Sequence, residues 1–252
     1  MKLNNIIYEK NVIRKNNLVL ACVFILLNTI FINNLISLIQ AYIILVFLNT
    51  LLDSYQKKRP FSNFFNSGLL IGGVSLFFTN TLSFYLIILV TGIVFGSLTW
   101  RTLAASLIGL IIPFFFYLMY LFCFDLPINI SITTPYNYTL FNATKNILTS
   151  PYAIFWIISF MLVFFFSVLE LYKWIYKKSI RSRQSFIIII SCLCVCVIAS
   201  ILSNYNIFYF FIIPAGIIIT NYLIYYKNRL VAELMFLLLL ISSFLYRYML
   251  II

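Results

Sequence analysis

The chain has 252 residues, of which 64% are hydrophobic and 9% charged; it carries a net charge of +12 and no histidine. A soluble domain is about half apolar and about a quarter charged, so this composition excludes a water-solvated fold and makes a bilayer the solvent. In a membrane chain Lys and Arg mark cytoplasmic loops, so the positive charge is not a nucleic-acid footprint and no nucleic-acid partner is expected.

In chain order, "MKLNNIIYEKNVIRKNN" is basic and polar, and the apolar run after it lacks a small-residue cleavage site. This predicts a retained signal anchor with a cytoplasmic N-terminus. Residues 18–52 are one apolar stretch. As a single helix it would be roughly 50 Å long, too long for about 30 Å of hydrocarbon. The polar pair Asn33-Asn34 reads as a turn that divides it into spans 18–32 and 35–52. The stretch 61–100 divides in the same way at Thr79-Asn80-Thr81, into 61–79 and 81–99. Further spans are expected at 103–124, 152–172, 185–203, 207–226 and 230–250, with Pro113 and Pro214 kinking two of them. The expected fold is all-α: one integral membrane domain over 1–252, a polytopic bundle of about nine helices with the N-terminus cytoplasmic and the C-terminus external.

The cations support that count. With nine spans, every Lys and Arg except Lys145 and Arg247 falls on the cytoplasmic side, as the positive-inside rule requires. Lys57, Lys58 and Arg59 in one loop, and Lys173, Lys177, Lys178, Arg181 and Arg183 in another, are expected to hold anionic headgroups. Pro60 blocks continuation of the preceding helix, and Ser62 or Asn63 is placed to cap the next.

Small residues recur four apart on three consecutive spans: Gly68 and Gly72, Gly92 and Gly96, Ala105 and Gly109. That spacing lets helix backbones approach closely in lipid, so these six are read as packing residues. The pattern at Leu51–Phe78, "LLDSYQKKRPFSNFFNSGLLIGGVSLFF", and at Trp100–Phe122, "WRTLAASLIGLIIPFFFYLMYLF", resembles an uncharacterised family of bacterial multi-pass inner-membrane proteins. The resemblance runs from about Ile30 to Asp125 and implies a multi-pass protein of the bacterial inner (cytoplasmic) membrane. Members are sometimes labelled carotene monooxygenases, but those enzymes hold iron with histidines and this chain has none.

Candidates for chemistry are few. Intramembrane ionisable groups are functional suspects, and the chain holds five acids. Asp53 with Lys57, Glu170 with Lys173 and Glu233 with Arg229 sit at helical spacings that pair charges. Glu233 is the deepest of the three and the candidate for a buried, substrate-binding role. Asp125 and Arg247 fall on the external side and are the candidate catalytic pair, an acid as base or metal ligand and an Arg for pyrophosphate. Tyr136 and Tyr138 in the external loop 125–151 are placed at the interface or stacked on a sugar. Cys192 and Cys196 share a helix face while Cys194 does not; with no histidine, no metal or cofactor site is expected. Without histidine or a Walker A motif, zinc hydrolases, Ser-His chemistry and ATPases are excluded.

Three functions fit. The first is a non-catalytic cell-envelope or assembly subunit with a membrane-protein partner. The second is a lipid-linked saccharide transferase or polymerase-like enzyme, resting on Asp125, Arg247 and the tyrosines. The third is a small-solute or lipid transporter, resting on Glu233.

Overall fold

The computed structural model describes residues 18–28, 35–125, 151–202 and 208–251. Among these the chain is helical throughout, without a strand. The α-helices are α1 (Val19–Asn28), α2 (Leu35–Leu52), α3 (Phe61–Ser75), α4 (Tyr85–Val94), α5 (Trp100–Cys123), α6 (Pro151–Ile175), α7 (Ile180–Leu202), α8 (Phe208–Tyr225) and α9 (Arg229–Ile251), with a 3-10 helix at Thr79–Phe84. Four of the described helices, α5, α6, α7 and α9, are long and apolar enough to cross a membrane, which marks the chain as a helical membrane protein. The shorter α1, with 10 residues, reaches only about 15 Å. The turn expected at Asn33-Asn34 lies outside the described residues. The break expected at 79–81 is present, with extended backbone at Phe78 (φ −131°).

Among the described residues the backbone forms two compact units, one within 1–42, 138–183 and 208–252, the other within 43–137 and 184–207. In the first, α6 packs on α8 and α9, and α1 packs on α8. The core joins Val23 and Leu27 of α1, Trp156, Phe160 and Val163 of α6, and Ile212 and Ala215 of α8. The spacing of four on α6 lines up its aromatic rings: Trp156 stacks on Phe160 at 5.5 Å and Phe160 on Phe164 at 5.8 Å. Each such pair adds about 0.5–1.5 kcal/mol beyond its buried area. Phe211 of α8 closes on Phe160 at 6.1 Å and on Phe164 at 5.7 Å. Further along both helices Lys178 lies over the Tyr225 ring at 3.8 Å. Contacts that advance together mean that α6 and α8 run the same way. α1 runs opposite to α8, since Leu27 meets Gly216 while Val19 shares a cavity with Leu223–Tyr226.

In the second unit the decisive pair is α3 and α5. A methyl on Gly68 would strike the Ser106 carbonyl, one on Gly72 the Leu110 carbonyl, and one on Gly109 the Phe65 carbonyl. The two backbones therefore touch directly, as the spacing on α3 anticipates. Gly68 faces Ser106 and Gly72 faces Leu110, so these helices also run parallel. The segment between them must then return the chain to its starting height. Tyr85 ties α4 to this pair, its hydroxyl 3.0 Å from Ser106 Oγ. Ala105 is only half-buried, and Ser106 takes the facing position.

Three sequence expectations are corrected. Gly96 is not a packing residue: it has positive φ (+63°) and open space around it. It ends α4 in a Schellman turn, with Ser97 N donating to Gly92 O (2.9 Å) and Gly96 N to Ile93 O (3.1 Å). Gly92 is a small residue for a different partner, since a Cβ there would meet the Leu98 side chain at 2.6 Å. Second, neither Ser62 nor Asn63 caps α3; Pro60 occupies the cap position, with no side-chain bond. Asn63 is instead buried, donating to the Thr50 carbonyl at the end of α2 (2.8 Å) and accepting from Lys57 (3.0 Å). The amide thus closes the α2–α3 loop by satisfying an orphan helix-end carbonyl. Third, α5 begins at Trp100 rather than 103. Thr99 and Thr102 form a reciprocal capping box, Thr99 N donating to Thr102 Oγ1 at 2.9 Å and Thr102 N to Thr99 Oγ1 at 3.3 Å.

The α3–α5 contact separates two neighbouring glycines. Gly72→Ala is expected to lower resistance to unfolding by about 1–3 kcal/mol, through overpacking of backbone on backbone. Gly73, with nothing near its missing Cβ, should accept Ala with a gain of up to about 1 kcal/mol from helix propensity. Denaturing-detergent titration of the two variants measures the contrast.

Candidate functional site

The site is built where α8 ends and α9 begins. Tyr225 closes α8, Lys227 and Asn228 lie between the helices, and Arg229 opens α9. Two apolar helices end here at charged residues, because Lys and Arg heads seek water while their stems stay against hydrocarbon. The result is a cavity of about 780 Å³. Part of its lining is hydrocarbon: Val19 of α1, Leu223, Phe236 and Leu237. Another part is polar: Tyr225, Tyr226, Lys227, Arg229 and Glu233. Such a size and mixture of lining are typical of small-molecule sites, which span roughly 300–1,000 Å³.

The same end of this unit holds the α6–α7 corner. Lys178 stacks on Tyr225, and Tyr222, fully buried, packs against Tyr226 at 4.8 Å and lies within electrostatic reach of Glu170. On the exposed corner itself, Tyr172 hydrogen-bonds to Tyr176 and holds its phenol above the usual range. Because α6 and α8 run parallel and α9 runs back, Lys173, Lys177, Lys178, Lys227 and Arg229 all belong to one end of this unit, and Arg247 to the other. The second unit shows the same pattern. The Lys57–Asn63–Thr50 link, the Tyr55–Phe95 ring contact at 5.2 Å and the parallel α3–α5 pair put Lys57, Lys58, Arg59 and Arg101 at one end and Asp125 at the other.

Glu233 is exposed on the cavity wall rather than buried, one helical turn from Arg229. Asp125 is exposed just past the end of α5, with φ +49°. It belongs to one unit and Arg247 to the other, so neither unit by itself assembles that pair. Tyr136 and Tyr138 lie outside the described residues. Cys192 and Cys196 are buried together on α7 while Cys194 is exposed, the division expected from helical spacing. Among the described residues no three His, Cys, Asp or Glu side chains cluster to hold a metal ion. Sequence reading overlooked Tyr225, Tyr226, Lys227 and Arg229 as a group. The available signal was a charged, aromatic "YYKNR" junction followed one turn later by Glu233.

No protein-family model, curated protein or solved structure matches the chain.

The Lys178–Tyr225 contact needs only the aromatic face. Tyr225→Leu should lower stability, and about 0.5–1 kcal/mol of that loss should be absent in a Lys178→Ala background. Unfolding midpoints of the four combinations give the coupling directly.

Proposed function

We propose that the chain is a nine-span protein of the bacterial cytoplasmic membrane that serves as a non-catalytic cell-envelope or assembly subunit. The observation that carries this reading is the use made of the small residues. On α3 and α5 they bring backbone against backbone and fill the space that a substrate groove would need. Grouping of cations at one end of each unit supports an orientation with those ends, and the N-terminus, in the cytoplasm. In that orientation Lys57, Lys58, Arg59, Lys173, Lys177, Lys178, Arg181 and Arg183 meet anionic headgroups.

A second reading, a small-solute or lipid transporter, is favoured by one observation: Glu233 lines an open cavity together with Lys227 and Arg229.

Native mass spectrometry of the protein in mild detergent separates the two. The subunit reading expects a protein partner at fixed stoichiometry. Partner-free protein, together with transport lost in Glu233→Gln, would replace it with the transporter. Topology is tested by alkaline phosphatase fusions. Activity is expected after Ile252 and none after Arg59; the reverse pattern would overturn the orientation.

A further inference from the structure

The cavity at the α8–α9 corner selects its occupant by three features. Its cations, Lys227 and Arg229, outnumber its one acid, Glu233. Glu233, one turn along α9 from Arg229, balances only one of the two cations. A site of that charge favours an anion, and Arg in particular favours the paired oxygens of a phosphate. The hydrocarbon part of the lining, with Leu223, Phe236 and Leu237, has nothing to offer an inorganic anion, but suits acyl chains. The occupant is thus amphiphilic. Glu233 adds the third requirement. A carboxylate accepts hydrogen bonds and repels further negative charge, so the headgroup must carry one phosphodiester and a hydrogen-bond donor beside it.

The preceding segment of the chain is a poor match. Residues 1–17 carry Lys2, Lys10, Arg14 and Lys15 against Glu9 alone, so their charge repeats that of the cavity rather than complementing it.

We infer that this cavity binds a glycerophospholipid whose headgroup bears a donor, of the phosphatidylethanolamine or phosphatidylglycerol type. Lys227 and Arg229 hold the phosphodiester, Glu233 accepts from the ammonium or hydroxyl, and the start of the acyl region lies along Leu223, Phe236 and Leu237. The site borders the α6–α7 basic loop, whose Lys178 stacks on the lining residue Tyr225, but the cations assigned to the phosphodiester are other residues, Lys227 and Arg229. It also does not depend on whether the protein is an assembly subunit or a transporter.

The test is native mass spectrometry of the full chain in detergent, with phosphatidylethanolamine, phosphatidylglycerol or phosphatidylcholine added in turn. Wild type is expected to retain one copy of either donor-bearing lipid, at least about tenfold more strongly than phosphatidylcholine. The pair Lys227→Gln and Arg229→Gln together should weaken retention by a similar factor, while Arg101→Gln, at an exposed cation outside the cavity lining, should not change it. Glu233→Gln should erase most of the preference for phosphatidylethanolamine over phosphatidylcholine. Leu237→Trp, which fills the hydrocarbon part and leaves the charges intact, should also reduce retention, and serves if the double variant fails to fold by circular dichroism. Retention unaffected by these cavity substitutions would overturn the inference. So would displacement of the lipid by millimolar inorganic phosphate, which would make this a free-anion site. A manyfold rise in lipid occupancy on deleting residues 1–15 would assign the cavity to the chain's own N-terminal segment, and would overturn it too.

Discussion

A peptide group in hydrocarbon has no water to bond, so each backbone donor and acceptor must be satisfied within the protein. That constraint explains why the described residues are helical throughout, and many buried side chains follow it. Several buried hydroxyls turn back to carbonyls of their own helix: Ser67 to Phe64, Thr91 to Ile87, Ser167 to Val163 and Thr220 to Gly216, at 2.7–2.9 Å; the buried Tyr222 and Tyr246 hydroxyls do not follow this pattern. Satisfied locally, the serine and threonine groups do little to join one helix to another. Among the described residues, three polar bonds that cross between elements illustrate the alternative. Asn63 reaches the end of α2, Tyr85 reaches Ser106, and Gln184 reaches the Val94 carbonyl at the end of α4 at 2.9 Å. Two of the three satisfy carbonyls near helix ends, where the helix's own ladder leaves acceptors open.

With hydrogen bonding largely internal, and with lipid as apolar as any side chain, association rests on shape. The two units use different shapes. In one, Gly68, Gly72 and Gly109 remove side chains so that α3 and α5 meet backbone to backbone. In the other, the Trp156–Phe160–Phe164 ladder and Phe211 fill the space with rings. The α5 helix shows the consequence of committing one face so completely. Only 17% of its apolar window is buried, and Ile111, Phe116 and Phe122 stand exposed, a surface suited to acyl chains.

The ends of the helices have a different physics. Lys and Arg cannot be buried cheaply in hydrocarbon, so they collect where helices stop. There the helix termini also leave backbone groups open, and the packing of a bundle loosens. The α8–α9 corner combines these effects. Its cavity is a place where apolar and charged parts of the lining remain together, because neither can fill the other's space.

Much of this was legible in the sequence. Apolar run lengths and the positions of Asn, Pro and Lys-Arg clusters determined that the chain is a helical membrane protein and where most helices begin and end, because hydrocarbon thickness and backbone satisfaction act on local composition. The four-residue spacing on α3, and the separation of Cys194 from Cys192 and Cys196, followed from helical periodicity alone. Tertiary structure decided what periodicity cannot. Gly92 and Gly96 have the same spacing as Gly68 and Gly72, yet Gly96 ends a helix, because only neighbouring chain geometry distinguishes a seam from a Schellman turn. Asn63 is placed to cap its own helix but serves the preceding one, because the Thr50 carbonyl is within reach only after α2 and α3 fold together. Glu233 reads as deep by its position along α9, whereas the cavity beside it opens it to the surface. Which side chains share a wall depends on contacts between segments far apart in the chain, and these are encoded in packing rather than in any local pattern of residues.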